Sequence, residues 1–203
     1  MLFNSAIVLT GGKSRRMGFD KAFMKIGDTT CIEFIIKELK KYFGEVIIVA
    51  SRENQGFKFL NVKTVVDEFK DTGPIAGLHA GLKASNSLYN YLIACDMPVI
   101  SDELISHMKQ SLARGPDIIA CKRGNFIEPF HAVYSKKLVA RIEDQIKSNQ
   151  CSIFSLMKNS DLHLIDDETI NKKCKTLPIW TNLNTQDGLE NFRGRKHHGI
   201  KNL

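Results

Sequence analysis

Short apolar, β-branched runs alternate along this chain with longer stretches whose apolar residues return every three or four positions. Strand-like runs fall at 3–10, 46–50, 62–66, 91–95 and 117–121. Between them, helical spacing marks 30–43 (Ile32, Ile35, Ile36, Leu39), 74–84 and 101–113 (Leu104, Ile105, Met108, Leu112). The last third is less regular and is read as a strand at 129–134, helices at 135–147 and 152–157, a strand at 161–165 and a helix at 185–192 capped by Thr185. Strands alternating with helices predict an α/β fold, a three-layer sandwich with a mostly parallel, Rossmann-like central sheet. Ligands in such sheets sit at the carboxyl ends of the strands, where loops leave the sheet.

Length and composition narrow the picture. At 203 residues with 43% hydrophobic content the chain suits one domain, placed at 1–192, followed by a basic, flexible tail at 193–203. No apolar run approaches the ~20 residues that span a bilayer, and no basic segment with a cleavable apolar stretch opens the chain, so a cytoplasmic protein without a membrane partner is expected. Five cysteines, with no C-x-x-C pair, fit neither a disulfide framework nor a zinc site and read as reduced thiols. The formal charge is +7, but Arg193, Arg195, Lys196 and Lys201 lie in the tail, leaving a surplus of about three for the body. Charges elsewhere are mixed along helix faces, which argues against nucleic acid as a partner. His197 and His198 reflect tail composition rather than a metal site.

The chemistry concentrates in L-T-G-G-K-S-R-R-M-G-F-D-K, residues 9–21, directly after the first strand. Glycines there allow close approach of the backbone to an anion, and Lys13, Arg15, Arg16 and Lys21 surround the loop with positive charge. A polyphosphate is the expected guest. The loop is not a P-loop, because Phe19, Asp20 and Lys21 follow Gly18, and it is not a dinucleotide fingerprint, because Gly11 and Gly12 are adjacent. I-A-C-D-M-P, residues 93–98, places Asp96 straight after a buried strand, where it suits Mg²⁺ held against a triphosphate, or else a cap for the helix near Ser101. In V-V-D-E-F-K-D-T-G-P-I-A-G-L, residues 65–78, Asp67 follows a strand, Gly73-Pro74 opens a helix, and Gly77 permits close packing or a ligand contact.

Residues 9–21 resemble the signature of Rossmann-like nucleotidyltransferases, and within them the molybdenum cofactor guanylyltransferase (MobA) family, L-A-G-G-x-S-x-R-M-G-x-D-K, with only Thr10 departing. The C-D-x-P turn, the D-x(5)-G-P-L-A-G segment, matched at Asp67, Gly73, Pro74, Ala76 and Gly77, the E-P-x-x-A-x-Y strand within 126–134 and the N-x-N-T-x-[DE] segment within 180–187 resemble that family in the same order. The resemblance implies transfer of GMP from GTP to molybdopterin with Mg²⁺ as cofactor. It implies nucleotide contacts from Leu9, Thr10, Gly11, Gly12, Lys21, Ser51, Asp67, Gly77 and Asp96. Arg16, Lys21 and Asp96 become the catalytic residues, with Asp96 on the metal, and Glu128, Asn182 and Asn184 face the acceptor. Ser51 stands where the family usually has asparagine. Other cofactor-synthesis proteins and the receiving molybdoenzymes are the expected protein partners. His131, a lone histidine in a strand, reads as a satisfied structural group. Three alternatives stay open: a cytidylyltransferase for the same cofactor, though these usually begin L-A-A-G; a sugar-phosphate nucleotidyltransferase, which the N-L-N-T segment disfavours; and a non-catalytic GTP- or cofactor-binding protein of the same fold.

Overall fold

The computed structural model describes residues 1–10, 21–50, 57, 60–69, 72–173, 179–181 and 183. Seven strands form one sheet: β1 (Phe3–Leu9), β4 (Glu45–Ala50), β5 (Lys63–Val66), β6 (Tyr89–Ala94), β7 (Ile118–Arg123), β8 (Phe126–Ser135) and β9 (Leu162–Ile165), in the order β5-β4-β1-β6-β8-β7-β9. β2 (Lys25–Ile26) and β3 (Thr29–Thr30) form a separate hairpin turning at Gly27, where φ is 64°. β8 runs against both its neighbours, and every other pairing in the large sheet is parallel.

Alternation along the strands divides the core into two layers. Ala6, Val8, Ile48, Tyr91 and Ile93 face α1 (Cys31–Leu39) and α3 (Asp102–Ser111). Ile7, Leu9, Ile47, Val49 and Leu92 face α2 (Pro74–Ala84), α4 (Leu138–Lys147) and α5 (Ile153–Lys158). The expected three-layer α/β sandwich is therefore present. Helix starts follow local chemistry: Thr30 and Glu33 form a capping box on α1, and Pro74 follows Gly73, whose φ of 77° suits glycine, at the start of α2.

Several boundaries differ from the sequence reading. α1 stops at Leu39 rather than 43, and turns occupy 40–42. α4 starts at Leu138 rather than 135, because Ser135 still pairs with Tyr89. β8 is longer than 129–134, and it changes register. Ile119 pairs with Val133 but Cys121 with Glu128, so Pro129, Phe130 and His131 are looped out as a bulge. Pro129 has no N–H for a ladder, His131 takes a positive φ of 47°, and the Tyr134 hydroxyl donates to the Pro129 carbonyl at 2.9 Å. α6 (Asp167–Lys173) lacks an apolar period and was not foreseen; the Asp166 Oδ1 atom accepts from the Thr169 amide at 2.7 Å and caps it. The helix expected at 185–192 and the tail lie outside the described residues.

Candidate active site

The carboxyl ends of β1, β4, β5 and β6 meet at one edge of the sheet, and main-chain bonds carry their order into the loops. The Thr10 amide and its hydroxyl both donate to the Val49 carbonyl at 3.1 Å. The Asp67 amide donates to the Ala50 carbonyl at 3.3 Å, and the Cys95 amide to the Leu9 carbonyl at 3.0 Å. Leu9, Thr10, Asp67 and Asp96 thus come together at this edge. The N-terminus of α2 opens there too, and the dipole of a helix start favours an anion. Gly77, in the second turn of α2, is buried against Leu9; a Cβ there would meet the Leu9 Cδ2 atom at 3.1 Å.

Asp96 lies in a turn closed by the Met97 amide, which donates to the Ala94 carbonyl at 3.1 Å. The Cys31 thiol donates to the Cys95 carbonyl at 2.9 Å, and the Leu183 amide donates to the Asp96 carbonyl at 2.9 Å. The turn is therefore held from the first strand, from the start of α1 and from the segment after Trp180. Burial, and secondarily the charge of Asp96, push the Cys31 thiol up to about 12, so it stays protonated and serves as a donor. The cap of the neighbouring helix is Ser101, whose hydroxyl accepts from the Leu104 amide.

Beyond Asp96 the bulge brings Glu128 to the same edge. Burial raises the pKa of Glu128; the Phe130 amide, donating at 3.2 Å, and Arg123 pull it down, and Asp96 adds to the rise. The Arg123 Nη1 atom is 3.8 Å from the Glu128 Oε2 atom, and its guanidinium lies 5.1 Å from the centre of the Trp180 ring. Trp180 in turn stands edge-on to His131 at 6.1 Å. His131 is fully buried, with Nδ1 bonded to the Tyr91 hydroxyl at 2.6 Å. Its Nε2 atom is buried with no hydrogen-bond partner among the described residues, so of the two ring nitrogens expected to be satisfied only Nδ1 is so there. Desolvation pushes its pKa down to about 3, keeping the ring neutral.

Of the residues proposed from sequence, Gly11, Gly12, Arg16, Ser51, Asn182 and Asn184 lie outside the described residues, and of Lys21 only the main chain, opening a single 3-10 turn (Lys21–Phe23), is described. Arg123, Trp180 and Cys31 were missed. Arg123 and Trp180 flank motifs already noticed, and the composition around them gave no separate signal. Cys31 lies 64 residues from its partner in sequence.

The sheet order, the reversed β8 and an acidic turn beside a phosphate-suited edge define an α/β nucleotidyltransferase. The model of the MobA-like NTP transferase domain matches residues 6–162, and the chain belongs to that family. It is 39% identical to a probable molybdenum cofactor guanylyltransferase of Peptoclostridium acidaminophilum, over 94% of this chain and 89% of that one. It is 37% identical to the molybdenum cofactor guanylyltransferase of Syntrophotalea carbinolica, over 95% and 92%. Among solved structures, molybdopterin-guanine dinucleotide biosynthesis protein A of Archaeoglobus fulgidus superposes with a TM-score of 0.82 at 25% identity, covering 96% of this chain and 99% of that one. A 2-C-methyl-D-erythritol 4-phosphate cytidylyltransferase of Thermus thermophilus shares the fold, with a TM-score of 0.68 at 10% identity over 95% and 98%.

Proposed function

We propose that this chain transfers GMP from GTP to the terminal phosphate of molybdopterin and releases pyrophosphate. The observation that carries the reading is the Asp96 turn, held to Leu9, Cys31 and Leu183 at the edge where Thr10 and Asp67 also end their strands. The names of relatives that match nearly end to end support the choice of substrates.

In the reaction a terminal phosphate oxygen of the acceptor bonds to the α-phosphorus of GTP. The bond from that phosphorus to the oxygen bridging to the β-phosphorus breaks, and pyrophosphate leaves. The two oxygens must lie in line, and the charge on the phosphoryl oxygens must be offset in a preorganised site. The amides of Gly11 and Gly12 contact base and phosphate, and Arg16 and Lys21 bind the triphosphate and leaving group. Main-chain groups from Leu9 to Gly12, with Asp67, read the guanine edge, and a base with mismatched donors leaves them unpaired. Ser51 and Gly77 are assigned to the nucleotide, and Glu128, Asn182 and Asn184 to the acceptor. The attacking phosphate is already an anion, so no general base is needed.

The hard carboxylate of Asp96 suits Mg²⁺, which takes one or two carboxylates and completes its shell with phosphate oxygens and water. When bound, Mg²⁺ supplies positive charge against the phosphate oxygens. The cytoplasm is the proposed location; no disulfide joins the buried residues Cys31, Cys95 and Cys121, and among the described residues no helix is long and apolar enough to cross a membrane.

Titration calorimetry with GTP, ATP and CTP in the presence of Mg²⁺, followed by pyrophosphate release with molybdopterin, tests the reading. Preference for GTP with turnover is expected. Preference for CTP transfers the reading to the cytidylyl branch, and binding without turnover removes the enzymatic assignment.

A further inference from the structure

The acceptor proposed above presents a phosphate, yet the wall it approaches carries Asp96 and Glu128. Two carboxylates repel an incoming phosphate unless a cation stands on the same side. The sheet register locates one. Leu92 pairs with Ala132, and Ile119 with Val133, so counting outward brings Arg123, the last residue of β7, level with the Asp96 turn. β6 and β7 are separated only by β8, so Arg123 and the Asp96 turn lie on the same rim of the sheet.

Arg123 is not placed like a structural arginine. Arg141 shows that pattern: its Nη1 atom donates to the Asp117 carboxylate at 3.2 Å, the Asn159 carbonyl at 3.1 Å and the Ser160 hydroxyl at 3.1 Å. Arg123 instead rests on the Trp180 ring, with its nearest Glu128 oxygen at 3.8 Å, beyond hydrogen-bond length, and with 44% of its side chain exposed. Trp180 is fixed from below by His131, which Tyr91 holds. A cation on an aromatic face keeps its in-plane N–H fork for another partner, and a planar fork fits two oxygens of a phosphate.

We infer that Arg123, positioned on Trp180, binds the phosphate of the acceptor substrate. Glu128 then orients the guanidinium from the side. The inference rests on the guanylyltransferase reading and adds to it the acceptor-side cation.

Trp180 is the single tryptophan of the chain, so its emission reports on this spot. Molybdopterin is titrated against that emission, corrected with a free tryptophan analogue, for the wild type, Arg123→Ala and Arg123→Lys. Calorimetry gives GTP affinity, and steady-state kinetics give both KM values. Arg123→Ala is expected to raise the molybdopterin midpoint and KM by about ten- to a hundredfold, the range for losing a hydrogen-bonded charge pair. GTP affinity stays within about twofold, and Arg123→Lys recovers part of the loss because it returns the charge without the fork. A molybdopterin midpoint unchanged in Arg123→Ala, or an equal loss of GTP affinity, overturns the inference while leaving the enzyme reading in place. Absence of GMP transfer by the wild type overturns both.

Discussion

The Leu183 amide donates to the main-chain carbonyl of Asp96 at 2.9 Å. The contact ties the C-terminal N-L-N-T segment to the acidic turn through backbone, so substitution of the Asp96 side chain leaves it in place. Asp96→Ala is expected to fold, with a melting temperature close to wild type, and to lose about a hundredfold or more in turnover, the scale of one preorganised charge-stabilising group. Lys21→Ala is expected to lose a similar factor. Pyrophosphate release beside a thermal melt checks both; near-normal rates would remove that residue from the mechanism.

Two glycines of α2 separate packing from binding. A Cβ on Gly81 would lie 2.5 Å from the Ile7 Cγ2 atom and 2.9 Å from its Cδ1, and Ile7 is buried in the central strand. Gly81→Ala is therefore expected to destabilise by about 1–3 kcal/mol through overpacking. At Gly77 the nearest atom is the end of Leu9, at 3.1 Å, which can give way. Gly77→Ala is expected to melt close to wild type, so a weakened GTP titration in that variant would report a nucleotide contact rather than misfolding.

His131 makes stability depend on pH. Its folded pKa of about 3 lies below the ordinary 6.5, so the unfolded chain binds the proton more readily. Its contribution is complete above about pH 6.5 and is lost as pH falls toward 3, by up to ~1.4 kcal/mol per pH unit. His131→Asn, which tolerates the positive φ, should flatten the decline in melting temperature between pH 6.5 and 4.5. An equally steep decline in the variant would assign that slope to other groups.

Thr10 stands where the family pattern has alanine. Its hydroxyl and its amide both reach the Val49 carbonyl, so Thr10→Ala keeps the main-chain link and loses one side-chain bond. The expected cost is about 0.5–1.5 kcal/mol, with turnover on GTP unchanged. Denaturant melts and initial rates test the two halves independently.

The parallel part of the sheet was legible because strands buried on both faces are written as unbroken apolar runs, as in Val46–Ala50, and because α1 and α3 carry clear helical spacing. α6 was not, since its residues are polar and only Asp166 announces it. The β2–β3 hairpin is two residues per strand, too short for any period to show. The place of Asp67 and Asp96 at the carboxyl edge of the sheet was readable because each follows a strand. Arg123 became visible only through register and through Trp180, which is 57 residues away in sequence. Nothing in local pattern brings those two together.

The displaced register of β8 gives the sheet a joint. Residues 132–135 are clamped between β6 and β7, whereas 126–128 pair with β7 alone, three residues out of step. Because paired residues share a face, the face taken by Phe126, Ile127 and Glu128 is set by their β7 partners Arg123, Lys122 and Cys121, and the 129–131 segment absorbs the mismatch with the pairs beneath. Changes in the length of that segment can thus be taken up at the rim while the pairs of 132–135 with β6 keep their register, so the sheet carries its own slack at this one corner.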